Sequence, residues 1–130
     1  IGNFIFGLPE DDFDSMQKTL DLAIKMNCEF INIYCAIAWP GSRLYNNAVN
    51  LKIELPKEWT DYAQHAYGFI PLPTKYLSAK QVLEFRDYAF DAYFKNPRYL
   101  NMIEKKFGEI AREHIENMTK IKLKRKLLGD

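Results

Sequence analysis

The hydrophobic pattern opens on the run Ile1-Gly2-Asn3-Phe4-Ile5-Phe6, broken at Gly7-Leu8-Pro9-Glu10. Bulky residues that fit a pleated surface, stopped by turn formers, predict a buried strand. Glu10-Asp11-Asp12 then places acidic groups where a helix starts, and Asp11 or Asp12 can cap its free amides. Phe13, Met16, Leu20, Ala23 and Ile24 recur at helical spacing, so the pattern predicts a helix over residues 13 to 26, with Asn27 as its stop. Phe30 to Tyr34 make a second strand. Strand, helix and strand in so short a span form a βαβ unit, with parallel strands and a right-handed crossover.

Parallel strands are covered by helices, so the hosts are a doubly wound sheet or a closed or partial β/α barrel, which periodicity does not separate. In either host chemistry sits at the C-terminal ends of the strands, here Gly7 to Glu10 and Cys35 to Ser42. Ser42 can cap a short helix whose core face is Leu44, Tyr45, Ala48 and Val49. From Leu51 to Leu77 no period emerges, and Pro56, Pro71 and Pro73 argue against a long element. Trp59, Tyr62, Tyr67 and Phe69 make this segment too apolar for a free linker, so it is either a lid over a site or a strap that packs.

The last third is helical. Ser78 and Gln81 form a capping box, and Val82, Phe85, Ala89 and Tyr93 share a face with Phe90 and Phe94 beside it, up to Asn96-Pro97. A shorter helix over Arg98 to Phe107 carries Leu100, Ile103 and Phe107 and closes at Gly108. A final helix from about Glu109 is expected to turn Ile110, His114, Ile115, Met118 and Ile121 inward. Lys120, Lys122, Lys124, Arg125 and Lys126 would form its basic end, favourable to the helix dipole.

Composition narrows the function classes. Lys plus Arg number 18 against 17 for Asp plus Glu, and a net charge of +1 gives no field to attract nucleic acid or anionic membrane. No apolar run approaches the roughly 18 to 20 residues a membrane span requires, which makes a cytoplasmic setting the default. The chain starts at Ile1 with no leader and offers its first strand one partner, so it reads as the C-terminal part of a longer chain. Its two cysteines, Cys28 and Cys35, match no zinc or iron-sulfur spacing and read as buried free thiols.

If Phe4 and Phe6 face the covering helices, Asn3, Ile5 and Gly7 turn to the other side, as do Asn32 and Tyr34 in the second strand. Gly7 either lets a ligand approach the backbone or simply makes the turn. Glu10 can accept hydrogen bonds, His65 can shuttle a proton, and Arg86 can grip a carboxylate or sit in an internal ion pair.

The run Phe4 to Glu10, followed by an acid-capped helix, resembles the fifth barrel strand of radical S-adenosylmethionine (radical SAM) enzymes, which carries a G-x-I-x-G-x-x-E pattern. Ile5, Gly7 and Glu10 match, while Asn3 stands where the first Gly is expected. Phe30-Ile31-Asn32-Ile33-Tyr34 and Pro40-Gly41-Ser42-Arg43-Leu44-Tyr45 are similar to the sixth strand and P-G-T-x-L-Y segment of the cobalamin-binding branch, with Ser42 for Thr. Leu77-Ser78, Phe85-Arg86-Asp87 and Asn96-Pro97-Arg98-Tyr99-Leu100 resemble that branch's C-terminal region, as in anaerobic magnesium-protoporphyrin ester cyclases.

The resemblance implies a [4Fe-4S] cluster that reductively cleaves S-adenosylmethionine to a radical that abstracts hydrogen from a small-molecule substrate. It implies that residues 1–50 are the last βαβ unit of a partial (β/α)6 barrel, 51–77 a connecting loop and 78–130 a helical extension. The C-x-x-x-C-x-x-C cluster ligands and a cobalamin domain would lie upstream, because nothing here matches them. Asn3, Ile5, Gly7 and Glu10 would contact the cofactor, and Asn32 and Tyr34 would line cofactor or substrate space. The competing class is a non-catalytic βαβ-plus-helix module that docks on a partner protein through an exposed strand edge.

Overall fold

The computed structural model describes residues 1–130. Two parallel strands, β1 (Gly2–Phe6) and β2 (Ile31–Cys35), are joined through α1 (Phe13–Met26), and then come α2 (Arg43–Asn50), α3 (Ala79–Phe94), α4 (Pro97–Phe107) and α5 (Glu109–Met118). The protein is therefore α/β, with five α-helices and a two-stranded parallel sheet in which Phe4 pairs with Ile33 and Ile5 with Tyr34. No helix is long and apolar enough to cross a membrane.

Local chemistry sets the ends of these elements. Asp12 caps α1 by accepting from the Ser15 N–H at 2.8 Å, and Asn27 ends it in the left-handed conformation, where a short amide side chain is tolerated. Ser42 caps α2 and Ser78 caps α3, the latter with Gln81 returning the bond. Asn96 caps α4, which starts one residue earlier than the pattern indicates because Pro97 fits its first turn.

One hydrophobic core holds the sheet to the helices. Phe4, Phe6, Ile31, Ile33 and Cys35 project from one sheet face onto Met16, Leu20 and Ala23 of α1 and Val82, Phe85 and Ala89 of α3. Each large apolar side chain so buried contributes about 1.5–3 kcal/mol. Tyr93 and Tyr99 join the core while donating their hydroxyls to the Cys28 and Glu29 carbonyl oxygens at 2.6 and 3.0 Å. These two bonds fix the loop that feeds β2. Burial raises the pKa of both phenols, that of Tyr99 to about 12.

The segment 51–77 packs as a strap. Tyr62, Phe69, Leu72 and Leu77 are buried, and its only helical piece is a 3-10 turn at Trp59–Tyr62. Gln64 gives the strap a second task. Its side-chain amide accepts from the Cys35 N–H at 3.0 Å and donates to the Cys35 carbonyl at 2.9 Å, so it satisfies the outer edge of β2 as a neighbouring strand would.

The C-terminal part departs from the helical pattern. α5 stops at Met118 and inserts Ile115 into the core, with Ala111 and Met118 packed beside it. Ile110 is 83% exposed, and His114 and Ile121 also face solvent. At about 100° per residue, Ile110 stands some 140° around the helix from Ile115. Nor do the basic residues decorate a helix end. Lys122, Lys124 and Arg125 lie in an extended tail between a turn at Lys120 and a 3-10 turn that starts at Lys126; Arg125 is 0% exposed there and Lys122 pairs with Asp91 at 2.5 Å. Phe107 and Val49, expected on core faces, are exposed as well.

Candidate functional site

The sheet face opposite the helices is uncovered. Asn3, Ile5, Asn32 and Tyr34 occupy it: the Asn32 Nδ2 donates to Asn3 Oδ1 at 2.8 Å, and Ile5 lies opposite Tyr34 in the strand register. Ile5 is 47% and Tyr34 36% exposed. Parallel sheets are ordinarily covered on both faces, so adjacent bare Ile and Tyr side chains mark a surface built to be covered.

At the C-terminal end of the strands this face deepens into a groove of about 370 Å³, walled by Ile5, Leu8, Tyr34, Ile37, Trp39 and Leu44. Trp39 is held by stacking on Tyr62, ring centroids 5.5 Å apart. The groove contains no carboxylate, histidine or lysine, and the Gln64 amide at its edge is engaged with Cys35. It can bind a flat, largely apolar body, with the Tyr34 hydroxyl as an exposed polar group on its wall.

Two sequence candidates stand apart from it. Gly7 has φ +79 and faces α3, where a Cβ would lie 2.5 Å from Val82 Cγ1. The N–H groups of Gly7 and Leu8 both donate to Asp11 Oδ2, at 3.0 and 2.9 Å, and Asp11 Oδ1 accepts from the Ser15 hydroxyl. The glycine is thus required by the turn and by helix packing, and Asp11 is the residue that shapes the end of β1. Glu10 is exposed and pairs with Lys75 at 3.4 Å, over a separate depression beside Leu51 and Leu72.

Arg86 and His65 meet elsewhere. Arg86 is buried and donates to the Ile33 carbonyl at 3.2 Å and to Asp87 at 2.8 Å, with its Nη2 3.4 Å from His65 Nε2. The internal ion pair is the arrangement found. Burial, then the charges of Arg86 and Arg125, hold the His65 pKa below its ordinary value, so its ring accepts from Arg86 in neutral form.

Cys28 and Cys35 are both unpaired thiols, but only Cys35 is buried as expected; Cys28 is half-buried. Burial pushes the Cys35 thiol up to about 12, and no three His, Cys, Asp or Glu side chains converge to hold a metal ion. These residues do not fit an iron-sulfur cluster.

Sequence reasoning missed the groove walls Leu8, Ile37 and Leu44 and the edge cap Gln64. The first three were indicated only in general, by lying in or beyond the loops at the strand ends, and Gln64 carried no local signal.

No protein-family model matches the chain, and no solved structure matches it. It is similar to an uncharacterized methyltransferase of Pyrococcus horikoshii, 23% identical over 101 residues that make up 77% of this chain and 21% of the relative. The chain spans about a fifth of the length of the curated relative it matches.

Proposed function

We propose that this chain is the C-terminal part of a radical SAM enzyme. In this reading β1, α1 and β2 are the last βαβ unit of a partial (β/α)6 barrel, and the bare sheet face looks into its interior. The carrying observation is the asymmetry of the sheet. At the outer edge of β2 Gln64 takes up both main-chain groups of Cys35, whereas no side chain does so along β1, and the sheet face carries exposed Ile5 of β1 and Tyr34 of β2. Such a sheet is completed by further strands on the β1 side, supplied by upstream chain. The match of Ile5 to the family's cofactor-contacting position and the methyltransferase name of the relative both support S-adenosylmethionine as the ligand.

When bound to a reduced [4Fe-4S] cluster, S-adenosylmethionine supplies the radical that removes a substrate hydrogen. The cluster ligands, and a cobalamin domain if the branch resemblance holds, belong to other parts of the protein. This chain's contribution is binding and shielding. Ile5 and Tyr34 offer apolar contact, the Asn3–Asn32 pair presents amide donors and acceptors, and Trp39, Leu8 and Leu44 give the groove apolar walls.

Calorimetric titration of the full-length protein with S-adenosylmethionine tests this. Ile5→Asp places a charge on the contact face without disturbing the core, and a loss of affinity of about tenfold or more is expected. Lys105→Gln, on the exposed side of α4 and away from the groove, should leave affinity unchanged. Unaltered binding by Ile5→Asp would refute the assignment. Absence of binding by the unmodified protein, together with a partner chain paired on β1, would establish the docking module instead.

A further inference from the structure

A second cleft, of about 330 Å³, shares no residue with the sheet-face groove. It lies between α3 and the extended tail, with His65, Arg86, Lys122, Asp87 and Asp91 as polar lining and Phe90, Met118, Ile121 and Leu123 as apolar lining. Its size falls at the small end of the range for ligand pockets.

The charges beneath it do not balance. Arg86 and Arg125, both almost fully buried, share one carboxylate oxygen, Asp87 Oδ1, at 2.8 and 3.3 Å. Asp91 is shared in the same way by Lys95 and Lys122, at 2.8 and 2.5 Å. Four cations thus meet two carboxylates, with His65 neutral. A third carboxylate, Asp130, accepts from the Arg125 main-chain N–H and forms no ion pair with its guanidinium.

Acceptors are also short. The Arg125 Nη1 reaches the Gln64 carbonyl at 2.7 Å, but its Nε is buried with no partner. Of the five N–H groups of a guanidinium, Arg86 commits one from Nε, one from Nη1 and one from Nη2. One N–H remains uncommitted on each terminal nitrogen of a residue that lines the cleft. Buried cations lacking acceptors are costly; Arg125 does not itself line the cleft, but it shares Asp87 with Arg86, which does.

We infer that this cleft binds a small organic carboxylate, its anionic end on Arg86 and Lys122 and its apolar body against Phe90, Met118 and Ile121. A monoanion is favoured over a phosphate dianion because Asp87 and Asp91 flank the site and only two guanidinium N–H groups are free. The inference is independent of the radical SAM proposal.

Phenylacetate is a suitable probe, titrated calorimetrically into the full-length protein, with benzylamine as the cation of similar shape and inorganic phosphate as the competing anion. Saturable phenylacetate binding is expected, with none by benzylamine. The exposed substitutions Lys122→Glu and Ile121→Asp should each weaken it about fivefold or more, with circular dichroism and melting unchanged. Absence of saturable phenylacetate binding, equal binding of benzylamine, tighter binding of phosphate, or both variants binding as the unmodified protein does would overturn the assignment.

Discussion

Replacing Gly7 with alanine separates the two roles a glycine at the end of β1 can have. Gly7 sits at φ +79, where an L-residue with a Cβ is strained by roughly 1–2 kcal/mol. The new methyl would also lie 2.5 Å from Val82 Cγ1, closer than carbon atoms approach, and a tight 3.3 Å from Cγ2. Val82 is fully buried between Gly7 and the α3 interior and cannot swing away. Overpacking of this kind adds about 1–3 kcal/mol. Gly7→Ala should therefore destabilise the fold by about 2–5 kcal/mol, a large share of a typical total of about 5–15 kcal/mol. Urea unfolding followed by circular dichroism reads this as a lower midpoint. Val82→Ala removes the clash but not the strain, so the double variant should be more stable than the sum of the single effects by about 1–3 kcal/mol. A Gly7→Ala cost below about 0.5 kcal/mol, or strict additivity with Val82→Ala, would refute the packing argument.

Two further outcomes follow from the strap. Gln64→Leu leaves the Cys35 N–H and carbonyl without partners, which should cost about 1–3 kcal/mol and speed hydrogen exchange at the Cys35 amide, while unchanged exchange would show that Gln64 does not cap the edge. His65 titrates below its ordinary value because burial and the Arg86 and Arg125 charges oppose protonation, with Asp87 acting against them. The unfolded chain therefore takes up the His65 proton first as pH falls, so stability should decline below about pH 6.5 and do so less in His65→Gln, a contrast read from unfolding midpoints between neutral and acid pH.

Where local chemistry decides structure, the sequence is readable. The capping signals at Asp12, Ser42 and Ser78 and the left-handed stop at Asn27 depend on neighbours within four residues, and each marks the element end it indicates. The alternation in β1 and β2 likewise brings Asn3, Ile5, Asn32 and Tyr34 to one face. What the sequence conceals is long-range. The Gln64–Cys35 pairing spans 29 residues and the Arg125–Gln64 bond 61, and no periodicity registers either. The tail shows the same limit. Lysines and arginines after Met118 have a surface composition, yet Arg125 is drawn into the interior by a carboxylate on α3 and carbonyls on the strap. Gly7 and Glu10 fit a sequence motif while lying off the groove, because a motif spacing does not state which side of a turn its residues take.

The central proposal is tested most directly by incubating the anaerobically purified, iron-replete full-length protein with S-adenosylmethionine and a strong reductant, and measuring 5′-deoxyadenosine by mass spectrometry. A radical SAM enzyme forms 5′-deoxyadenosine only when both reductant and cluster are present. Recovery of intact S-adenosylmethionine from protein carrying about four irons per chain would contradict the account.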